Sequence, residues 1–256
     1  MLVTIKQYSR FFINLLSLLL VLPMFLWAAL GLASDLLAAA PETAMQRWSC
    51  SGKIDDLSSW ETYRVSLTRS LMLDPGNATK TRMLAKMYEW RTFDSAPWDE
   101  KLQNEKETSR SLYRQVTRQR PSWAMGWAEL ANFKIRNMEL DNEAFFALER
   151  ALVLAPWQKD VQNKVIWLAV GIWDSVPENI KKLTKHNLRM LLNKEITIDK
   201  AILMAFRFRW MNELESILSS DDERALFSQY RDDEKRMQNI WKRMAKLKPQ
   251  YCSKIT

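Results

Sequence analysis

Residues 127–156 read WAELANFKIRNMELDNEAFFALERALVLAP, and this stretch decides the fold. Its first half sets Trp127, Leu130 and Ala131 at helical spacing, its second half does the same with Ala144, Leu148 and Ala151, and Pro156 ends the run. A proline has no N–H for the helical ladder and disfavours helical geometry in the residue before it, so a helix stops in front of it. Small alanines let two helices approach while large residues fill the groove beside them. The stretch therefore reads as a helical hairpin whose pattern is a packing code, not a chemical one.

Working outward, the same punctuation recurs. Residues 70–77, SLMLDPGN, close one amphipathic segment and residues 116–121, VTRQRP, close another. The unit ending at Pro121 carries Leu84, Ala85 and Tyr88 in its first helix and Tyr113 and Val116 in its second, with a long connection over 92–104 that contains Pro97 and Trp98. The unit before it shows only a second helix, over 60–73. A fourth pair, over 159–173 and 177–193, continues the helical period with Leu168 and Ala169. Beyond residue 198 further helices follow, and a long polar one over 221–248 is expected to cap the array. With only 5 Gly and 8 Pro in 256 residues, the chain lacks the turn residues that sheets and phosphate-cradling loops need.

This pattern resembles the tetratricopeptide repeat (TPR), whose helix pairs carry W-x2-L-G-x2-Y, then A-x3-F, then a terminal proline. The resemblance implies an all-α fold in which TPR-like hairpins over 58–193 form an α-solenoid, capped by the helices of 194–256. In TPR proteins the first helices line a groove that holds partners. Carried onto this chain, that implies a lining of Thr79, Arg82, Lys86 and Trp90, joined by Met125, Asn132 and Arg136 from the next unit. Arg82, Lys86 and Arg136 would offer their charges to acidic groups on a partner, whereas Lys181 and Lys185 are expected on a solvated face.

Residues 11–33, FFINLLSLLLVLPMFLWAALGLA, hold no charge and are long enough to cross a bilayer core. Lys6 and Arg10 precede the run, and Asp35 and Glu42 are the first charges after it. The positive-inside rule then leaves residues 1–10 in the cytoplasm and the domain outside. A cleaved signal peptide is the other reading, because Gly31-Leu32-Ala33 offers small residues at a cleavage position. Residues 34–57 are expected to be a linker.

Cys50 and Cys252, an even pair in an exported domain, are compatible with a disulfide joining the two ends of the soluble part. Two free thiols at opposite ends of an elongated array are the alternative. His186 is the only histidine and neither cysteine has a neighbouring ligand, so neither metal nor cofactor is expected. The carboxylate pairs Asp55-Asp56, Asp221-Asp222 and Asp232-Asp233 suit helix capping and solvation better than acid–base work. Residues 206–210, FRFRW, mix rings and cations as a stacking strip would, but on a helix such rings spread into packing.

The net charge of +8 favours an anionic partner, and a basic tail over 235–254 adds to it. Export argues against nucleic acid. The whole layout is similar to that of small membrane-anchored accessory proteins of bacterial polysaccharide biosynthesis, the VpsP-type family. That likeness implies a non-enzymatic scaffold in the inner membrane with a periplasmic domain, whose partners are other envelope proteins and an anionic polysaccharide. An assembly factor of a secretion or cytochrome-maturation machine, and a glycan-processing enzyme, are the rival readings.

Overall fold

A computed structural model describes residues 2–192 and 196–231, with side chains from Ser17 onward. These residues are helical with no strand among them, and an isolated bridge pairs Leu192 with Ile196. The helices follow one another in pairs: α1 (Leu2–Ser51) with α2 (Leu57–Leu73), α3 (Ala78–Arg91) with α4 (Gln103–Gln119), α5 (Ala124–Arg136) with α6 (Asn142–Leu154), and α7 (Lys159–Gly171) with α8 (Glu178–Leu191). Then come α9 (Ile198–Arg207), α10 (Met211–Glu215) and α11 (Asp221–Arg231). Each pair also packs on the next, through α2 on α3, α4 on α5 and α6 on α7.

The prolines act as read: α2, α4 and α6 end before Pro75, Pro121 and Pro156. Helices α2, α3 and α6 start on side-chain caps. Asp56 accepts from Ser59 N at 2.8 Å to open α2, Asn77 accepts from Thr79 N and Lys80 N to open α3, and Asp141 accepts from Ala144 N to open α6. Gly126 sits at a tight contact between α4 and α5, since a Cβ there would lie 2.9 Å from Val116 Cγ1. One continuous core runs from Ala85 through the later hairpins to Phe227.

The sequence expectation fails between residues 34 and 57. That segment is not a linker: α1 runs unbroken through Pro23 and Pro41 to Ser51, leaving only 52–56 as a turn. Gly52, at φ +78, closes the helix by donating its N–H to Trp48 O at 2.7 Å. The first unit thus has both its helices, the first being the second half of α1. Burial shows why. Leu18 to Leu22 and Met24 to Trp27 are exposed, Trp27 at 79%, whereas Ser34, Ala38, Pro41, Ala44 and Trp48 form a buried stripe at spacings of three and four. α1 is one helix long and apolar enough to span a membrane, joined without interruption to a helix packed on α2.

Polar contacts fix that junction. Ser34 Oγ donates to Ser70 O and Ser70 Oγ to Ser34 O, both at 2.7 Å, and both serines are fully buried. Lys80, 5% exposed, reaches into the same place, donating to Ser34 Oγ at 2.7 Å and pairing with Asp35 at 2.7 Å and Asp74 at 3.2 Å. Higher on α1, Trp48 and Ala44 pack with Trp60 and Met87, and Trp60 Nε1 donates to Met87 O at 2.9 Å.

Candidate functional site

Helical spacing gathers the charges of α3 and α5 onto facing stripes. Arg82, Lys86 and Glu89 recur at intervals of four and three on α3, and Glu129, Asn132 and Arg136 at three and four on α5. Two carboxylates organise them. Glu89 accepts from Tyr113 Oη at 2.5 Å and pairs with Lys86 at 3.2 Å and Arg136 at 3.3 Å, while Asn132 Nδ2 stands at 3.4 Å. Glu129 pairs with Lys164 of α7 at 2.8 Å and with Arg82 and Lys86 at 3.5 Å each. A single network therefore ties three successive hairpins together.

Burial divides the network into floor and rim. Glu89, Glu129 and Tyr113 are buried, whereas the side chains of Arg82, Lys86, Lys164 and Arg136 keep 28%, 29%, 29% and 37% of their surface. Desolvation alone would push the Glu129 carboxyl up, but Lys86, Lys164 and Arg82 outweigh it and hold the group well below the usual carboxylate range. Burial would pull the Lys86 ammonium down, yet Glu89 and Glu129 raise it. Burial first, and then Glu89 beside it, push the Tyr113 phenol well above its ordinary value. Four cations thus face two carboxylates in this network, and the cations outnumber the acids at the rim.

Aromatic rings brace that rim. Arg136 lies over Phe93 at 4.1 Å, Phe93 stacks on Trp90 at 4.8 Å, and Trp90 meets Trp48 edge-on at 6.3 Å. Arg82 stands over Trp123 at 5.7 Å. A cleft of about 250 Å³ lies between α1 and α3, with Glu42, Gln46, Arg82, Lys86 and Trp90 among its walls.

Of the residues the sequence singled out, Arg82, Lys86, Asn132 and Arg136 come together in the network and Trp90 beside it. Thr79 does not join them: it is exposed in the first turn of α3, its N–H held by Asn77. Met125 packs against the main core. The cations do not stand unpaired, because Glu89 and Glu129 hold them; apolar period alone marks neither acid, nor Lys164, and marks Tyr113 only for packing. The intervals of Glu89 from Lys86 and of Glu129 from Asn132 were the available signal.

Elsewhere the structure assigns structural work. Lys181 and Lys185 both lie over the Trp173 ring, at 5.5 and 5.9 Å, and Lys185 pairs with Glu213, so this face is not simply solvated. His186 is exposed on α8. Phe208 packs on Trp167 and over Gly171, and Trp210 is buried against Trp173. Asp55 pairs with Arg47, and Asp221 and Asp222 lie in the first turn of α11. Among the described residues no group of three His, Cys, Asp or Glu could hold a metal. Cys50 is disulfide-bonded, and Cys252, its expected partner, lies outside the described residues, as do Asp232-Asp233 and the basic tail.

Compared with known proteins, the chain matches no protein-family model and no curated sequence.

Proposed function

We propose that this chain is a membrane-anchored adaptor whose TPR-like hairpins, arranged as an α-solenoid, receive an acidic segment of an envelope partner. The observation that carries the reading is the positive surplus of Arg82, Lys86, Arg136 and Lys164 over the buried Glu89 and Glu129. The carboxylates hold one edge of each cation inside the fold, so the remaining donors are pre-aimed and lose little freedom when an anion arrives. On this reading the protein scaffolds and performs no catalysis.

The apolar half of α1 serves as the anchor, and the charge bias of Lys6 and Arg10 against Asp35 and Glu42 supports a cytoplasmic N-terminus. The assembly we assign is one that makes or exports an exopolysaccharide in a bacterial inner membrane, on the layout of anchor, exported helical hairpins and cationic face.

The test combines Arg136→Gln with Lys164→Gln in the full chain. These substitutions leave Glu89 paired to Lys86 and Tyr113, and Glu129 paired to Lys86 and Arg82. Partner recovery from membranes should fall about ten-fold or more, since charge-assisted contacts are the stronger ones, while neutralising Lys181 and Lys182 should change it little. Equal recovery from both variants sinks the acidic-segment reading. Normal polymer secretion in a strain lacking the protein sinks the assembly. A reporter fused after Thr256 that works only in the cytoplasm overturns the orientation.

A further inference from the structure

The end of the domain nearest the apolar run is fixed in position by the buried serines. Ser34 is the first residue after that run, and its reciprocal bonds with Ser70 hold the end of α2 at the same level. Lys80 brings the start of α3 there through Ser34 and Asp35, and Gln119 Nε2 donates to Pro75 O at 3.1 Å, which adds the end of α4. From Lys80 at this level α3 runs alongside α1 until Trp90 meets Trp48, so the turn after α3 lies about 20 Å farther from the apolar run.

The two ends differ in chemistry. The near end exposes Arg69, Arg118 and Arg120, for which no carboxylate lies within ion-pair distance among the described residues, and Arg120 stands over the half-buried Trp123 at 5.0 Å. Its acids, Asp35 and Asp74, are both taken by Lys80. Met72 is 73% exposed beside them. The far end carries Asp94, Asp99 and Glu100 against the single cation Lys101 in the turn between α3 and α4.

We infer that the turns over 74–77 and 118–123 rest on the bilayer and that Arg69, Arg118 and Arg120 bind anionic phospholipid headgroups of the leaflet from which α1 emerges. The inference rests on the reading of α1 as a spanning anchor. Arginines beside a tryptophan and an exposed methionine, held level with the end of an apolar helix, match the charge and partial polarity of that interface. The acidic far end faces away from it.

Hydrogen exchange on the full chain in vesicles tests this. In phosphatidylglycerol-containing vesicles, amides of 118–123 should exchange roughly five-fold more slowly than in phosphatidylcholine alone, the factor expected for about one arginine–headgroup attraction. Amides of 92–100 should not respond. High salt should remove the difference in the unaltered protein, and Arg69→Ser, Arg118→Ser and Arg120→Ser together should remove it at low salt. Equal exchange in the two lipids, with residues 17–33 protected in both, overturns the headgroup contact and leaves the anchor standing. Residues 17–33 unprotected in either vesicle overturn the anchor, and this contact with it.

Discussion

The Ser66 hydroxyl donates to the Leu37 carbonyl across 2.8 Å, supplying the hydrogen that Pro41, four residues on, lacks. A proline inside a helix normally leaves that carbonyl without a partner and bends the chain. Here α2 provides the missing donor from the side, and Pro41 is buried in the contact. Ser66→Ala should therefore cost about 1 kcal/mol by leaving a partly buried acceptor unmet. In a Pro41→Ala background the restored N–H serves Leu37, and the cost of Ser66→Ala should shrink. Additive losses in denaturant melts of the four proteins would disprove the coupling.

Glu129→Gln should be among the most damaging single changes on the charged face. It leaves Arg82, Lys86 and Lys164 gathered around an uncharged amide, at a cost of roughly 2–4 kcal/mol, moderated because the cations can turn to water. The same pairing sets a pH dependence. Glu129 is held below its ordinary value of 4.5, and Glu143 is lowered to about 2, with Arg114 the largest cause. Carboxylates so lowered contribute stability that is complete above their unfolded values and is lost as pH falls toward the folded ones. Thermal midpoints should thus decline between about pH 4.5 and 2, and Glu129→Gln should flatten that decline. An unchanged slope would contradict the assignment.

Lys106 is 2% exposed and meets carbonyls rather than an acid, donating to Ala96 O at 2.6 Å and Pro97 O at 2.9 Å. It holds the connection that presents Trp98, 80% exposed. Lys106→Met should free that connection while leaving the hairpins folded. Trypsin cleavage after Lys101 should become several-fold faster, with circular dichroism little changed. Cleavage at the original rate would show that the turn stands without the lysine.

Ala144 is fully buried in α6. Ala144→Phe overfills that contact and should cost roughly 1–3 kcal/mol. An unaltered thermal midpoint would mean the α5–α6 hairpin yields at this point.

The hairpins were legible because proline punctuation and apolar period act locally, and residues 127–156 carry both. The first hairpin was not, for a reason visible in two residues. Pro41 lacks the N–H that the helical ladder needs, and the hydroxyl that offsets it lies at Ser66, a separation no local pattern spans. The site was legible in part for a related reason. Arg82, Lys86 and Arg136 follow from repeat position, but whether a cation faces a partner or a neighbour depends on which acids stand beside it, here Glu89 on α3 and Glu129 on α5. Lys134, 1% exposed, depends instead on Glu139, Asp141 and Glu143 from the turn and second helix of its own hairpin, and nothing in its own helix marks it as interior.

The unbroken passage of α1 from exposed apolar surface into the first hairpin has a mechanical consequence. With no hinge between them, rotation or tilt of the apolar half would be inherited by α2 and, through Lys80, by α3. A partner gripping the far hairpins would then exert torque on the buried half of the rod, and a neighbour pressing on the rod would steer the hairpins. The stiffness of one helix would make orientation itself something the molecule can transmit.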